Sequence, residues 1–118
     1  MTNGATNNRG GGRWTLTVTA GRLADVLVLR TAGRLPAAAA PRMAAALADA
    51  IGAGERDVIV DLEGLDYISS AGILAIEAAA ARLHMEGGRL RLASPLPPVR
   101  LALELAGFPA DVEILPSL

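Results

Sequence analysis

The sequence predicts an α/β fold in which helices pack on a mixed β-sheet, with the elements in the order β-β-α-β-α-β-α-β. Three observations support this prediction. Two segments with alternating apolar residues open the chain, short β-branched runs then alternate with segments of helical periodicity, and Gly or Pro residues separate them. Strands that are joined through helices pair in parallel, and the helices cover the sheet.

The first two strands are expected to form an antiparallel hairpin. Apolar Trp14, Leu16 and Val18 alternate with threonines, which is typical of a strand at the edge of a sheet with one face in water. Residues 20–25 are predicted to form the turn, and the apolar run at 26–30 is predicted to form the second strand.

An Ala-rich segment at 37–51 predicts the first helix. Pro41 suits the first turn of a helix, and Gly52 suits its end. Apolar residues recur at every fourth position and form one stripe that can face the sheet: Met43, Leu47 and Ile51.

The segment 58–62 is predicted to be the central strand. It is a compact run of mostly β-branched residues, which is typical of a strand that is covered on both faces. Residues 71–86 predict the second helix, since Ser70 can cap its start and Gly87 can end it. Its apolar stripe consists of Ile73, Ile76, Ala80 and Leu83.

The last part of the chain predicts one strand, one helix and one short strand. Residues 89–93 alternate between polar and apolar, which favours a fourth strand. Prolines precede a third helix at 99–106, on which Arg100 and Glu104 lie four residues apart on the expected solvent side. Residues 112–115 are expected to form the last strand.

We expect one folded domain at 13–118. A chain of 118 residues is long enough to bury one hydrophobic core and too short for two. Residues 1–12 are rich in Asn, Gly and Thr and nearly free of apolar groups, so their burial cannot offset the entropy of ordering them. They are therefore predicted to be a disordered tail.

Composition limits the classes of function. Eleven basic and twelve acidic residues give a net charge of −1, so the chain has no basic field that would hold nucleic acid. It has no Cys, which excludes thiol catalysis and Cys-ligated zinc, and one His, which excludes a His-rich metal site. No apolar stretch is long enough for membrane insertion and no basic-then-apolar leader stands at the start, so we expect a cytoplasmic protein.

No arrangement of residues predicts catalysis. A phosphate-binding P-loop requires a Lys, and the sequence has none. The single His84 follows Ser70 by fourteen residues on the second predicted helix, which places it roughly 20 Å away and excludes a Ser–His pair. Carboxylates at Asp61, Glu63 and Asp66 are candidates for acid–base or metal chemistry, but such residues more often stabilise turns. Asp61 is expected to point toward the serines that precede this helix.

The junction between the central strand and the second helix is the most informative part of the sequence. Ser69 and Ser70 stand where the helix begins, and either can cap it by accepting a hydrogen bond from a free backbone N–H. Ala71 and Gly72 leave the first turn without large side chains, so a partner or an anion can approach its backbone. The residues alone leave both interpretations open.

The run at 60–72, Val-Asp-Leu-Glu-Gly-Leu-Asp-Tyr-Ile-Ser-Ser-Ala-Gly, resembles the STAS domain family, and within it the bacterial anti-sigma factor antagonists. Supporting matches lie at 33–35, after the second predicted strand, and at 86–90 and 103–108; the resemblance covers 14–115. It implies a STAS-like mixed β-sheet with helices packed on it, in the same β-β-α-β-α-β-α-β order that the residue pattern predicts.

The resemblance implies a binding switch with no cofactor, and not an enzyme. In this family an unphosphorylated antagonist binds an anti-sigma factor, often a GHKL-type serine kinase, and so frees the sigma factor. Phosphorylation of one serine ends the interaction, and a phosphatase restores it. Position by position, the phosphorylated serine matches Ser70. The partner-binding positions match Gly33, Asp66, Tyr67, Ser69, Ser70, Ala71 and Gly72.

Three positions depart from the family pattern. Ser69 stands where an acidic residue commonly precedes the phosphorylated serine, which makes Ser69 a second candidate acceptor. Ala71 stands where a Ser or Thr often follows, and Pro36 stands where many members carry Asp.

Two other functions stay open on the sequence. A small STAS subunit of a lipid-transport ABC importer binds its ATPase without being phosphorylated, and the missing acidic residue at Ser69 is compatible with that role. A small hydrolase or an acyl carrier-like enzyme would use Ser70 or the cluster around Asp61, but the sequence supplies no base for such a serine. The sequence indicates no oligomeric state, and it identifies neither the anti-sigma factor nor the sigma factor.

Overall fold

A computed structural model describes residues 15–118, which form a five-stranded sheet and three α-helices. The elements are β1 (Thr17–Leu23), β2 (Val26–Leu35), α1 (Ala40–Gly52), β3 (Asp57–Ile68), α2 (Ser70–Met85), β4 (Arg89–Ala93), α3 (Pro97–Leu105) and β5 (Ile114–Leu115). Their order is the predicted one. The predicted tail at 1–12 and the predicted strand residue Trp14 lie outside the described residues.

The strands lie side by side in the order β1-β2-β3-β4-β5. β1 pairs antiparallel with β2, and every other pair of neighbours is parallel. This confirms the hairpin at the edge of the sheet and the central position of β3. The three helices connect the parallel strands, so a helix begins after each of β2, β3 and β4.

The main apolar core lies between the helices and one face of the sheet. The predicted stripes of α1 and α2 belong to it, which confirms the helical register of both segments. α3 adds two side chains, and alternate residues of the central strands supply the other wall. Its fully buried members include Leu35, Met43, Leu47, Leu62, Leu65, Ile76, Leu83, Leu92 and Leu103.

The hairpin turn is shorter than predicted. β1 continues to Leu23, which pairs with Val26, so Ala24 and Asp25 alone form the turn in place of 20–25. Ala24 has a φ of 55°, the left-handed conformation that the favoured two-residue hairpin turns use. Because alanine rarely adopts this conformation, the sequence carried no signal for it.

β3 is longer and less regular than predicted. The prediction ended the strand at residue 62, but it continues to Ile68 and pairs with β2 along that length. Two register shifts against residues 30–34 of β2 each leave an extra residue on β3, as β-bulges do. Bulges break the two-residue alternation, and buried residues here recur at every third position instead: Leu62, Leu65 and Ile68.

Other boundaries differ from the prediction by a few residues. β4 begins and ends where predicted. The predicted first helix opens as a 3₁₀ turn at Ala37–Ala39 before α1, and β5 is shorter than the predicted 112–115. Gly33, expected just after the second strand, lies within β2.

No helix in the described part of the chain combines the length and the apolar character needed to cross a membrane.

Ion pairs connect strands, loops and helix ends at the end of the sheet that lies far from the start of α2. Arg22 on β1 bonds to Glu55 after α1, and this hydrogen bond lowers the pKa of Glu55 because the guanidinium favours the charged carboxylate. Arg56 donates to the carbonyl oxygen of Ile51 at 3.1 Å and to Glu86 at 2.9 Å. It therefore links the C-terminal ends of α1 and α2.

Gly33 is expected to be irreplaceable because of its contact with Thr15. Its φ is +93°, and a Cβ there would lie 2.2 Å from the carbonyl oxygen of Thr15. Gly54 has a similar φ of +98°, but nothing lies within 4 Å of a Cβ there. We predict that Gly33→Ala lowers the free energy of unfolding by about 3 kcal/mol or more, and Gly54→Ala by about 1 kcal/mol. Urea denaturation measures both, and equal losses would contradict the predicted clash.

Candidate functional site

Three hydrogen bonds hold the start of α2. The backbone N–H of Ser69 donates to the carbonyl oxygen of Leu35 at 2.9 Å, which joins the helix start to the end of β2. The N–H of Ile73 donates to the carbonyl oxygen of Ser69 at 3.0 Å, and the N–H of Gly72 donates to the Ser69 hydroxyl at 3.1 Å. Ser69, in extended conformation, is therefore the N-cap of α2.

The two serines at this junction differ in exposure. Ser69 is only 9% exposed, and its hydroxyl accepts the capping hydrogen bond. Ser70 is the first residue of α2 and is exposed to solvent. The sequence left either serine as the cap. In the structure Ser69 caps the helix, and the Ser70 hydroxyl is accessible.

Gly72 faces the core. A Cβ at this position would lie 2.7 Å from Cγ of Leu35 and 3.3 Å from Cγ1 of Ile68. The glycine therefore lets the first turn of α2 approach the ends of β2 and β3. The expected bare surface on this turn comes from the partly exposed Ala71 and not from Gly72, which is buried.

Two further predicted positions lie at the end of β3, just before the serines. Asp66 and Tyr67 are both exposed, Tyr67 by 41%. The guanidinium of Arg34, on the paired strand β2, lies 4.6 Å from the centre of the Tyr67 ring, a cation–π contact. Gly33 is partly exposed, and its Cα hydrogen side faces the carbonyl oxygen of Thr15, where a Cβ would lie 2.2 Å away.

Sequence reasoning missed Leu74. It lies one turn after Ser70 on α2 and is 61% exposed. The sequence did contain a signal for it. Leu74 is a large apolar residue that falls outside the apolar stripe, on the side of the helix where polar residues are expected. An exposed leucine one turn from the exposed Ser70 provides apolar area that a partner protein could bury.

The carboxylates do not form a chemical site. Asp61 is 6% exposed; one oxygen accepts a hydrogen bond from the N–H of Glu63 at 3.0 Å, and the other lies 3.7 Å from Nε of Arg30. It is thus engaged at the β-bulge, and the expectation that it points toward the serines is wrong. Glu63 and Asp66 are exposed strand residues and not turn residues. Within 15–118, no group of three His, Cys, Asp or Glu side chains could hold a metal ion.

His84 lies where the helix pattern placed it. It is exposed and belongs to the last turn of α2, whereas Ser70 begins the same helix. The two side chains are therefore separated by almost the full length of α2, which confirms that they do not form a catalytic pair. A basic residue in the last turn interacts favourably with the helix dipole.

Comparison with known proteins identifies the family. The model of the STAS domain matches residues 17–118. The chain belongs to the STAS domain family. It is 36% identical over 91 residues to the candidate anti-sigma factor antagonist BtrV of Bordetella bronchiseptica, and this match covers 77% of the chain and 78% of BtrV.

Solved structures share the fold at lower identity. An anti-sigma factor antagonist from Mycobacterium paratuberculosis superposes with a TM-score of 0.80 at 20% identity, over 88% of each chain. The anti-sigma factor antagonist SpoIIAA in its unphosphorylated form gives a TM-score of 0.69 at 20% identity, over 86% of this chain and 90% of SpoIIAA. The Bacillus SpoIIAA in its phosphorylated form gives a TM-score of 0.65 at 22% identity, over 83% of this chain and 90% of SpoIIAA. These similarities confirm the predicted STAS-like arrangement of sheet and helices.

The two serines are expected to contribute differently to stability. Ser69→Ala removes the acceptor of the Gly72 N–H, so we predict a loss of about 1 kcal/mol in the free energy of unfolding. Ser70→Ala removes an exposed hydroxyl and should change the free energy of unfolding by less than about 0.5 kcal/mol. Guanidinium denaturation of the two variants gives the comparison. A larger loss for Ser70→Ala than for Ser69→Ala would contradict the assignment of the cap.

Proposed function

We propose that this protein is an anti-sigma factor antagonist that binds its anti-sigma factor through the surface around Ser70, and that phosphorylation of Ser70 ends this binding. The observation that carries the proposal is the accessible hydroxyl of Ser70 beside the buried hydroxyl of Ser69. The 36% identity to BtrV supports the class of function. In this role the protein acts by binding, in the cytoplasm, without a cofactor and not as an enzyme.

The proposed docking surface consists of Asp66, Tyr67, Ser70, Ala71 and Leu74. On the α2 side it is small and uncharged, with an exposed leucine one turn beyond the hydroxyl. At the end of β3 it carries an exposed tyrosine, a residue type that is enriched among the energetically dominant contacts of protein interfaces. A partner that fits this surface closely must bury the Ser70 hydroxyl as a neutral group.

A phosphate on Ser70 would break this fit by its charge. It adds about −1.5 to −2 charges at neutral pH. The partner surface would have to bury that charge without a counter-ion, which costs several kcal/mol. Since 1.4 kcal/mol corresponds to a tenfold change, even about 3 kcal/mol lowers the affinity more than 100-fold. Local electrostatics is sufficient, and no change of fold is needed.

The same phosphate should leave the domain folded. Ser70 is the first residue of α2, where the helix dipole favours negative charge, and the first turn contains no acidic residue that would repel it. The capping hydrogen bond from Gly72 to Ser69 does not involve Ser70. The switch therefore acts on the interface and not on the stability of the protein.

Ser70 is better suited than Ser69 as the acceptor of a kinase. Phosphorylation of Ser69 would require a buried hydroxyl to leave its hydrogen bond to the Gly72 N–H. The exposed Ser70 can enter a kinase active site without such a rearrangement. Following the family resemblance, we propose that the anti-sigma factor is itself a GHKL-type serine kinase and that a phosphatase reverses the modification.

The capping role of Ser69 also bears on the alternative of an importer subunit. That alternative depended on the missing acidic residue before Ser70. Because Ser and Asp are about equally good N-caps, either residue satisfies the start of the helix at position 69. The neutral Ser69 therefore does not favour binding to a transporter ATPase over binding to an anti-sigma factor.

The charge argument is tested by three substitutions of Ser70. We predict that Ser70→Asp lowers the affinity for the anti-sigma factor at least about tenfold and changes the free energy of unfolding by less than about 1 kcal/mol. Ser70→Asn has nearly the shape of the aspartate without its charge, so it should bind close to the parent, as should Ser70→Ala. Isothermal titration calorimetry with the purified anti-sigma factor measures the affinities. Parent-like binding by Ser70→Asp, or an equal loss in Ser70→Asn, would contradict the mechanism.

A further inference from the structure

α3 presents a second apolar face to solvent. Val99 and Leu103 are each 1% exposed and fix the inner side of the helix in the core. Leu101 and Leu105 are 53% and 79% exposed. At 100° per residue these two leucines lie on the opposite side of the helix from the buried pair. A helix that is apolar on two opposite sides normally has a neighbour on both.

The exposed residues form a regular stripe. Pro97, Leu101 and Leu105 are spaced by four residues and are all exposed; we call them the outer α3 stripe. Single exposed leucines are ordinary on protein surfaces. Several exposed apolar residues aligned along one helix are less common, and contiguous exposed apolar patches often mark surfaces that contact another protein.

Two unpaired charges border the outer α3 stripe on one side. Arg100 and Glu104 lie four residues apart, a spacing at which they could pair with each other. Across residues 15–118, however, neither side chain forms an ion pair or a hydrogen bond. One positive and one negative group therefore remain available beside the same apolar stripe.

This charge pattern is complementary to itself. If a second copy of α3 packs antiparallel, a two-fold axis between the helices brings the same border of both copies together. Arg100 of each copy then faces Glu104 of the other, and the pairing occurs twice. In a parallel two-fold arrangement, the charged border of one copy would lie on the opposite side of the interface from the charged border of the other, so these contacts would not form. We propose that α3 is a self-association surface on which two copies pair antiparallel through their outer α3 stripes, with reciprocal Arg100–Glu104 contacts.

The expected dimer is weak and reversible. A nine-residue helix is roughly 13 Å long, so the contact is smaller than the roughly 800 Å² per partner that stable complexes bury. The outer α3 stripe shares no residue with the docking surface at Ser70. Self-association can therefore be tested independently of the proposed binding of an anti-sigma factor.

Sedimentation equilibrium of the full chain, from micromolar to millimolar concentration, tests the proposal. We expect a monomer–dimer equilibrium, and we expect Leu101→Glu to lower the association constant at least about tenfold. Leu23→Glu is the matched control, because Leu23 is 52% exposed and lies on β1. A monomer at every concentration, or equal effects of the two variants, would overturn the proposal.

Charge exchange tests the antiparallel arrangement itself. Arg100→Glu and Glu104→Arg each bring like charges together twice, so each should weaken association at least about tenfold. The double exchange restores opposite charges at both contacts and should return the association constant to near the parent value. Failure of the double exchange to restore association would exclude reciprocal pairing. Circular dichroism of each variant confirms that helix content is unchanged, as expected for substitutions outside the core.

Discussion

The close approach of the first turn of α2 to the ends of β2 and β3 determines the rest of this site. It requires glycine at residue 72, because a Cβ there would collide with Leu35 and crowd Ile68. The approach places the backbone of Ser69 against Leu35 and turns its hydroxyl inward to cap the helix. The next residue, Ser70, is exposed to solvent. One packing contact thus separates two adjacent and chemically identical hydroxyls into a structural one and an accessible one.

In the proposed mechanism, this separation allows a small domain to lose its partner without changing its shape. The accessible hydroxyl sits at a helix N-terminus, which accepts negative charge, so a phosphate there costs the folded domain little. In the proposed mechanism, the energetic cost falls on a partner surface that is matched to a neutral group. Under the proposed mechanism, binding depends on the surface around Ser70, whereas Ser69 and Gly72 hold the start of α2. The neutral Ser69 supports this division, because it caps the helix without placing a permanent charge beside the switch.

Much of the fold follows from the sequence, and the exceptions have physical reasons. The stripes of α1 and α2 and the alternation of β4 predicted their elements because each segment keeps one period along its length. The second half of β3 was missed because two bulges replace alternation by a three-residue spacing. The hairpin turn was misplaced because Ala24 adopts a conformation more usual for glycine. In the site, the motif located the junction, and the family resemblance implied Ser70 as the phosphorylated serine. The residues alone left either serine as the cap, and the burial of Ser69 and its hydrogen bond from the Gly72 N–H distinguish the two.

The measurement that tests this account most directly is the location of the phosphate. The protein is incubated with the proposed anti-sigma factor kinase and ATP, and the modified residue is identified by mass spectrometry of proteolytic fragments. Ser69→Ala and Ser70→Ala are treated in parallel. The account predicts phosphate on Ser70 in the parent and in Ser69→Ala, and none in Ser70→Ala. Phosphate on Ser69 in the parent, or undiminished labelling of Ser70→Ala, would contradict it.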